Sequence, residues 1–268
     1  MSENMVPPEG VNVTKPNSAR MYDFLLGGSH NFEVDRRAAE DMQQIFPDAA
    51  FYARSNRAFL GRVVRYLIDA GIEQFLDLGS GIPTVGNVHE IALERRPGAR
   101  VAYVDHEPVA VRHARHVIGD DEDRVTITEA DIRRPDEVLD APGVRDLLDF
   151  SRPVAVLAVG VLPFVPGDEA AAVMAQYRDR TAPGSYAAVS HLSRIGMTEE
   201  QMAAGLEIMR RTPTPEQPRT PEEVRDLLPG YTIVEPGVVP VPQWRPDREP
   251  TEDEISRSNC YGAVGHRA

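Results

Sequence analysis

The sequence predicts an α/β fold in which helices cover both faces of a largely parallel sheet. Between residues 72 and 192, short apolar segments of strand length alternate with amphipathic segments of helical length. The segment 154–159 is continuously apolar, which is typical of a strand buried on both faces. A chain of 268 residues that is 41% hydrophobic is long enough to bury the core such a sheet needs.

The elements are predicted in order along the chain. Helices are expected at 19–26, 34–45 and 51–70, and Gly71 ends the third as a C-cap glycine. Strands are expected at 74–78, 100–105, 125–129, 154–159 and 185–192, and helices at 85–95, 109–118, 144–150, 169–180, 199–211 and 222–228. A proline-rich linker is expected at 213–221, and segments 231–234 and 260–265 are expected to close the sheet as an antiparallel pair.

Composition excludes several classes of function. The formal net charge of −13 disfavours binding to a phosphate backbone, so no nucleic-acid partner is expected. No apolar run approaches the ~20 residues of a membrane span, and residues 1–10 lack the basic and apolar regions of a signal peptide. A single cysteine, Cys260, precludes an internal disulfide, and no metal-ligand spacing stands out. We therefore expect a soluble cytoplasmic protein without a metal site.

The first predicted strand runs into a glycine turn. In a doubly wound sheet, ligands bind beyond the carboxyl ends of the strands. Gly79 and Gly81 flank Ser80 there, and glycine lets the backbone turn sharply and approach a ligand. The dinucleotide pattern GxGxxG is not completed, because Thr84 occupies its third glycine position. A nucleotide-linked oxidoreductase is therefore a disfavoured alternative, and a purely structural turn is another.

Three further strand ends carry groups that suit an adenosine. Asp105 follows the glycine turn by about two dozen residues and can accept both ribose hydroxyls, although it can also cap the next helix. Asp131 suits the adenine amine and Ile132 the ring face, although an Asp turn is equally compatible. Gly160 permits close backbone approach. Adenosine recognition without a pyrophosphate cradle indicates S-adenosylmethionine as the cofactor.

Several motifs match one known family over residues 16–267. They are PNSARMYDFLLGG at 16–28, His30-Asn31-Phe32, Asp35-Arg36, NRAFL at 56–60, FLDLGSGIPT at 75–84, Asn87 with His89-Glu90, Val104-Asp105, residues 153–164, Glu235-Pro236-Gly237 and Trp244-Arg245-Pro246. With these motifs the chain resembles the actinobacterial S-adenosylmethionine-dependent methyltransferases, a family once catalogued as a domain of unknown function.

The resemblance implies a class I methyltransferase fold with seven strands, the last antiparallel, and an N-terminal helical extension. It implies an arm and helical cap over 1–70 and the cofactor-binding domain over 71–268. Ser80, Pro83, Asn87 and His106 lie in or beside the matching motifs and are expected to contact the cofactor. His106-Glu107 departs from the Asn-Asp that relatives often have.

The N-terminal extension is rich in polar residues that a plain cap does not need. Arg20 is expected to bind the cofactor carboxylate through its guanidinium fork, and Tyr22 to close over the sulfonium or bond the carboxylate. Asn56 and Arg57 are further candidates. The alternative is a salt bridge between the two parts of the chain, such as Arg57 with Asp23.

We expect methyl transfer to a small-molecule acceptor. Positioning and water exclusion supply most of such catalysis, and a base is needed only for a protonated acceptor. His191, which follows the fifth strand, is the first candidate base, and His30 in the glycine loop is the second. A non-catalytic cofactor-binding sensor or partner module is the main alternative, and an RNA methylase is disfavoured by the charge.

Overall fold

A mixed β-sheet forms the centre of the molecule. The computed structural model describes residues 12–83, 86–118, 123–166, 169–210 and 218–268. The strands in these ranges are β1 (Gln74–Leu78), β2 (Arg100–Asp105), β3 (Val125–Glu129), β4 (Ala155–Val159), β5 (Tyr186–Leu192), β6 (Thr232–Ile233), β7 (Val239–Pro240) and β8 (Cys260–His266). Their order is β3-β2-β1-β4-β5-β8-β6, and β7 pairs with β8 off this path.

Strand direction divides the sheet into two parts. β1 pairs in parallel with both β2 and β4, and β3 and β5 extend the parallel part on either side. β8 runs antiparallel to β5, β6 and β7. This confirms the predicted fold class and the closing antiparallel pair; the main path has seven strands, and β7 is a two-residue addition. The chain order reverses beside β1, which opens a crevice at the carboxyl ends of β1 and β4.

Helices pack on both faces of the sheet and over its carboxyl edge. They are α1 (Ser18–Leu25), α2 (Glu33–Ile45), α3 (Ala49–Asp69), α4 (Val88–Arg95), α5 (Pro108–Ile118), α6 (Pro135–Asp140), α7 (Pro142–Arg145), α8 (Glu169–Asp179), α9 (Glu199–Met209), α10 (Pro221–Arg225) and α11 (Glu252–Arg257). Short 3-10 turns lie at Leu162–Phe164 and Val241–Gln243.

Successive side chains of each strand enter different cores, as the pleat requires. In β1, Phe75 packs into the core that α3 and α4 cover, whereas Leu76 packs into the core that α6, α8 and α10 cover. A third, smaller core joins α1, α2 and α3 through Met21, Leu25 and Ala53, among others. The expected division at residue 70 falls between α3 and β1, and α3 contributes to two of these cores.

The structure differs from the sequence prediction at three short helices. Of the helix expected at 144–150, only residues 144 and 145 are helical, at the end of α7. Helices α6 and α7 start at Pro135 and Pro142, and proline favours the first turn of a helix. Helix α11 was not predicted, although Thr251 and Glu254 form a capping box at its start, with the Thr251 N–H donating to Glu254 Oε2 at 2.9 Å.

Two predicted segments fall partly outside the described residues. The expected helix start at Val85 and the first part of the proline linker, with Pro213 and Pro215, lie outside the described ranges. Within them, α4 begins at Val88 and α10 at Pro221. No helix in the described ranges is both long and apolar enough to cross a membrane.

Candidate functional site

One large cavity opens at the carboxyl ends of the parallel strands, beneath α1, α2, α3 and α9. Its floor comes from the segments that follow β1 to β4. The lining residues there are Asp77, Gly79, Ser80, Gly81, Asp105, His106, Glu107, Asp131, Ile132, Arg133, Val159, Gly160 and Val161. The sheet topology therefore brings the residues of four predicted strand ends into one site.

The glycine turn after β1 depends on left-handed backbone at two positions. Gly79 has φ +68° and Gly81 has φ +66°, a region that favours glycine. A Cβ on Gly79 would lie 2.2 Å from Val161 Cγ2, so this glycine packs against the segment after β4. A Cβ on Gly81 would meet no atom within 4 Å. Gly81 thus presents bare backbone to open space, as a cradle for a ligand does.

Asp105 is held at the end of β2 by backbone donors. The Gly81 N–H donates to Oδ2 at 2.7 Å and the Glu107 N–H donates to Oδ1 at 2.8 Å. Burial raises the pKa of the Asp105 carboxyl, and these hydrogen bonds oppose the rise. The His106 N–H also acts on this carboxyl, and since a carboxylate has about four lone-pair sites, it keeps capacity for a further donor. His106, next in sequence, also lines the cavity and is largely exposed.

Asp77 in β1 is a site residue that the sequence analysis missed. Its side chain is buried and lines the cavity, and burial raises its pKa to about 7. The positive charge of Arg57 on α3 acts on Asp77 in the opposite direction. Arg57 also lines the cavity, and within the described part of the chain no hydrogen bond or ion pair occupies its guanidinium. An acidic residue inside a strand buried along its whole length was the available signal.

The segment after β3 forms the outer end of the floor. Asp131 pairs with Arg133, whose Nη2 lies 2.6 Å from Asp131 Oδ2, and these hydrogen bonds lower the pKa of Asp131. Ile132 is buried and turns an apolar side chain to the cavity. A short polar group and an aliphatic surface therefore lie side by side, as expected from the sequence.

Two side-chain hydrogen bonds link Ser190 on β5, Asn56 on α3 and Tyr22 on α1. Asn56 on α3 accepts from Ser190 Oγ at 2.6 Å through its Oδ1, and its Nδ2 donates to the Tyr22 hydroxyl at 3.2 Å. Gly160 has φ +77°, and a Cβ there would lie 2.8 Å from Asn56 Nδ2. Tyr22, Asn56 and Gly160 all line the cavity. These hydrogen bonds hold the Tyr22 ring in the wall of the cavity.

Arg20 is placed differently from the expectation that it binds the cofactor carboxylate. Its side chain is 2% exposed, and its Nε donates to Asp35 Oδ2 at 2.8 Å. Nη2 donates to the carbonyl oxygen of Lys15, and Nη1 lies 3.5 Å from Glu107 Oε1. The guanidinium thus ties α1 to α2 and lies outside the cavity lining.

Other expected contacts also lie outside the cavity lining. Pro83 is buried, and Asn87 starts α4, where its N–H donates to Glu90 Oε2 at 2.9 Å. Asp23, the alternative partner for Arg57, instead accepts from the His30 N–H and from Asn31 Nδ2.

The two histidines expected as bases also lie outside the lining. His191 is fully buried, and burial lowers its pKa to about 4. It shares a face of β5 with Ala187 and Val189, whereas the next residue, Leu192, reaches the cavity. The His30 ring packs against His113 on α5, with ring centroids 3.6 Å apart.

The part of the cavity under the helices is apolar. We call it the apolar chamber and define it by Met21, Leu25, Met42, Phe46, Met202 and Leu206. The two residues that each helix contributes, counting Phe46 with α2, lie four positions apart, so each helix turns one stripe to the chamber. Met21 and Leu25 are on α1, Met42 on α2 and Phe46 just after it, and Met202 and Leu206 on α9.

The fold, with its glycine turn and strand-end carboxylates, is the class I methyltransferase fold that the sequence predicts. The chain belongs to the family described as S-adenosyl methyltransferase, whose profile matches residues 4–268. The predicted resemblance and the predicted cofactor, S-adenosylmethionine, are thereby confirmed.

Two solved structures are similar over nearly the whole chain. A protein from Thermobifida fusca, described as a candidate methyltransferase, is 40% identical with a TM-score of 0.91, covering 98% of this chain and 99% of its own. A DUF574 family protein from Streptomyces avermitilis is 33% identical with a TM-score of 0.89, covering 96% and 99%. No curated protein matched the sequence.

A more distant structure shares the fold alone. An O-methyltransferase family protein from Burkholderia thailandensis is 19% identical with a TM-score of 0.51, covering 92% of this chain and 64% of its own.

The chemistry of the cavity fits S-adenosylmethionine. The glycine turn is open, and the Asp105 carboxylate can accept from a further donor. The sequence lacks the complete pyrophosphate-binding pattern, and this cofactor has no phosphate.

Proposed function

We propose that the protein transfers the methyl group of S-adenosylmethionine to a small-molecule acceptor bound in the apolar chamber. The observation that carries this proposal is the continuity of the cavity. The cavity floor, with its charged residues and glycines, suits the cofactor. The same cavity continues into the apolar chamber between the helices. A concave chamber lined by apolar side chains suits a small acceptor better than a polymer.

The adenosine end of the cofactor is assigned to three strand ends. Asp105 accepts from the ribose hydroxyls through the acceptor capacity that its backbone donors leave available. Ile132 packs on the adenine face, and Asp131 accepts from the exocyclic amine. The bare backbone of Gly81 lets the ribose approach the turn closely.

The amino-acid end is assigned to Arg57 and Asp77, which both line the cavity and interact through their charges. The Arg57 guanidinium binds the carboxylate, since its donors are not engaged by described residues. Asp77 accepts from the ammonium group, and the added positive charge lowers the pKa that burial has raised to about 7. In this proposal Arg57 takes the role that the sequence suggested for Arg20.

Positioning is the main catalytic contribution of the chain. When bound, the cofactor supplies an electrophilic methyl group on a sulfonium. The Asn56 amide holds the Tyr22 ring in the cavity wall, and the helices above exclude water from the acceptor. His191 and His30 take no part in this proposal, because both rings lie outside the lining.

Methyl-labelled cofactor tests the proposal directly. The protein is incubated with it and with separated small-molecule, RNA and protein fractions of the source cells. We expect label in an organic product of the small-molecule fraction, and much slower labelling by an Asp105→Ala variant when the cofactor concentration is limiting. Label confined to RNA or protein would contradict the proposal. Tight binding of S-adenosylhomocysteine without any transfer would instead favour a non-catalytic cofactor-binding module.

A further inference from the structure

The apolar chamber differs in charge from the rest of the cavity. The charged lining residues lie at the ends of β1 to β3 or, as with Arg57 and Arg133, act on a carboxylate there. The described lining residues of α1, α2 and α9 include none with a charge. Bringing an ionised group into such surroundings without a partner is costly, so the chamber selects against charged molecules.

The walls of the chamber also favour a particular shape of ligand. Three of its six defining residues are methionines, and Phe46 adds an aromatic face. Thioethers adapt to irregular surfaces and make favourable contacts with aromatic rings. We propose that the acceptor is an uncharged aromatic molecule that presents its nucleophilic atom toward Tyr22 and the cofactor. This inference rests on the proposed function and names the substrate class of the same site.

We infer that one contact limits the space in the chamber. Gly205 on α9 faces Phe46, and a Cβ on Gly205 would lie 1.7 Å from Phe46 Cε2 and 2.4 Å from Cζ. The phenyl ring therefore occupies the space that any larger residue at position 205 would take. Met202 and Leu206, three positions before and one after, face the same chamber. Because position 205 is glycine, the Phe46 ring can pack against α9 and leave more of the chamber free for the acceptor.

Three naphthalene probes of one ring system test the charge preference. Full-length protein saturated with S-adenosylhomocysteine is titrated with neutral 2-naphthol, anionic 2-naphthoate and cationic 2-naphthylmethylammonium, and binding is followed by calorimetry. We expect 2-naphthol to bind at least about tenfold more tightly than either charged probe. Equal or tighter binding of a charged probe would overturn the inference.

A matched pair of glycine variants tests the size determinant. Gly205→Ala should push the Phe46 ring into the chamber and weaken 2-naphthol binding about tenfold or more. The affinity for S-adenosylhomocysteine should stay within about twofold, which separates this inference from the proposed function. Gly98→Ala is the control, because a Cβ on Gly98 meets no atom within 4 Å. Alanine favours helix over glycine, so α9 itself should tolerate the change.

The double variant Phe46→Ala with Gly205→Ala removes the clash and should recover 2-naphthol binding relative to Gly205→Ala alone. It also provides a folded test if the single variant unfolds. Unchanged 2-naphthol affinity in folded Gly205→Ala, or no recovery in the double variant, would overturn the size determinant. Wild-type protein that fails to bind S-adenosylhomocysteine would refute the proposed function instead.

Discussion

The backbone N–H of Gly81 donates to Oδ2 of Asp105 at 2.7 Å. This hydrogen bond joins the glycine turn after β1 to the end of β2, so these two parts of the cavity floor are positioned together. The same carboxylate accepts from the Glu107 N–H through its other oxygen. Asp105 therefore organises the floor and, in our proposal, also binds the ribose.

Asp105→Ala should weaken binding of S-adenosylhomocysteine about 10-fold to 100-fold, because charge-assisted hydrogen bonds to the ribose are lost. It should also lower the free energy of unfolding by about 1–3 kcal/mol, since the N–H groups of Gly81 and Glu107 lose their acceptor. Calorimetry and urea unfolding measure the two effects. Asp226→Ala, at an exposed aspartate, is the control. Unchanged affinity in folded Asp105→Ala protein would remove Asp105 from the site.

The two glycines of the turn should respond differently to alanine. Both have positive φ, so each substitution should cost about 1–2 kcal/mol in backbone strain. Gly79→Ala should cost about 1–3 kcal/mol more, because its Cβ overlaps Val161. Gly81→Ala should instead mainly reduce affinity for S-adenosylhomocysteine. Equal stability losses, or normal affinity in Gly81→Ala, would contradict the described turn.

Substitution of Arg20 should affect mainly the stability of the fold, whereas substitution of Arg57 should affect mainly cofactor binding. Arg20→Met leaves Asp35 buried without its partner and should lower the free energy of unfolding by about 3–5 kcal/mol. Arg57→Met should change the free energy of unfolding little but weaken the binding of S-adenosylhomocysteine about tenfold or more. Methylthioadenosine, which lacks the amino-acid part, should bind Arg57→Met as it binds wild type. A loss of methylthioadenosine affinity of the same size would contradict the assignment of Arg57 to the carboxylate.

Asp77 should make stability depend on pH. Burial raises its pKa from 3.8 to about 7, so the folded state retains a proton that the unfolded state has released between these values. The free energy of unfolding should therefore fall as pH rises through this window, by up to about 4 kcal/mol. Asp77→Asn removes this contribution, and its stability relative to wild type should increase from pH 4 to pH 7. A constant difference between the two proteins would contradict the raised pKa.

Most of the fold follows from local patterns in the sequence. β1, β2 and β3 span the predicted residues because apolar residues are bounded there by turn signals. Helices α6, α7 and α11 escaped prediction because six residues or fewer carry little periodicity. Their signals were prolines at the first turn and the capping box of Thr251, which act locally without an apolar stripe.

The sequence predicted the site residues correctly only where the sheet topology alone determines their position. Parallel strands bring their carboxyl ends together, which placed Asp105, Asp131 and Gly160 in one cavity. Whether Arg20 or Arg57 faces that cavity depends on how α1 and α3 pack, and the buried Asp35 decides it. His191 was expected in the site, yet strand alternation turns it to the opposite face from Leu192.

The most direct test is a crystal structure of the protein with S-adenosylhomocysteine bound. We predict that both ribose hydroxyls lie within hydrogen-bond distance of the Asp105 carboxylate, with adenine against Ile132 and the amino-acid carboxylate on Arg57. A ligand whose ribose lies away from Asp105, or whose carboxylate avoids Arg57, would contradict the account.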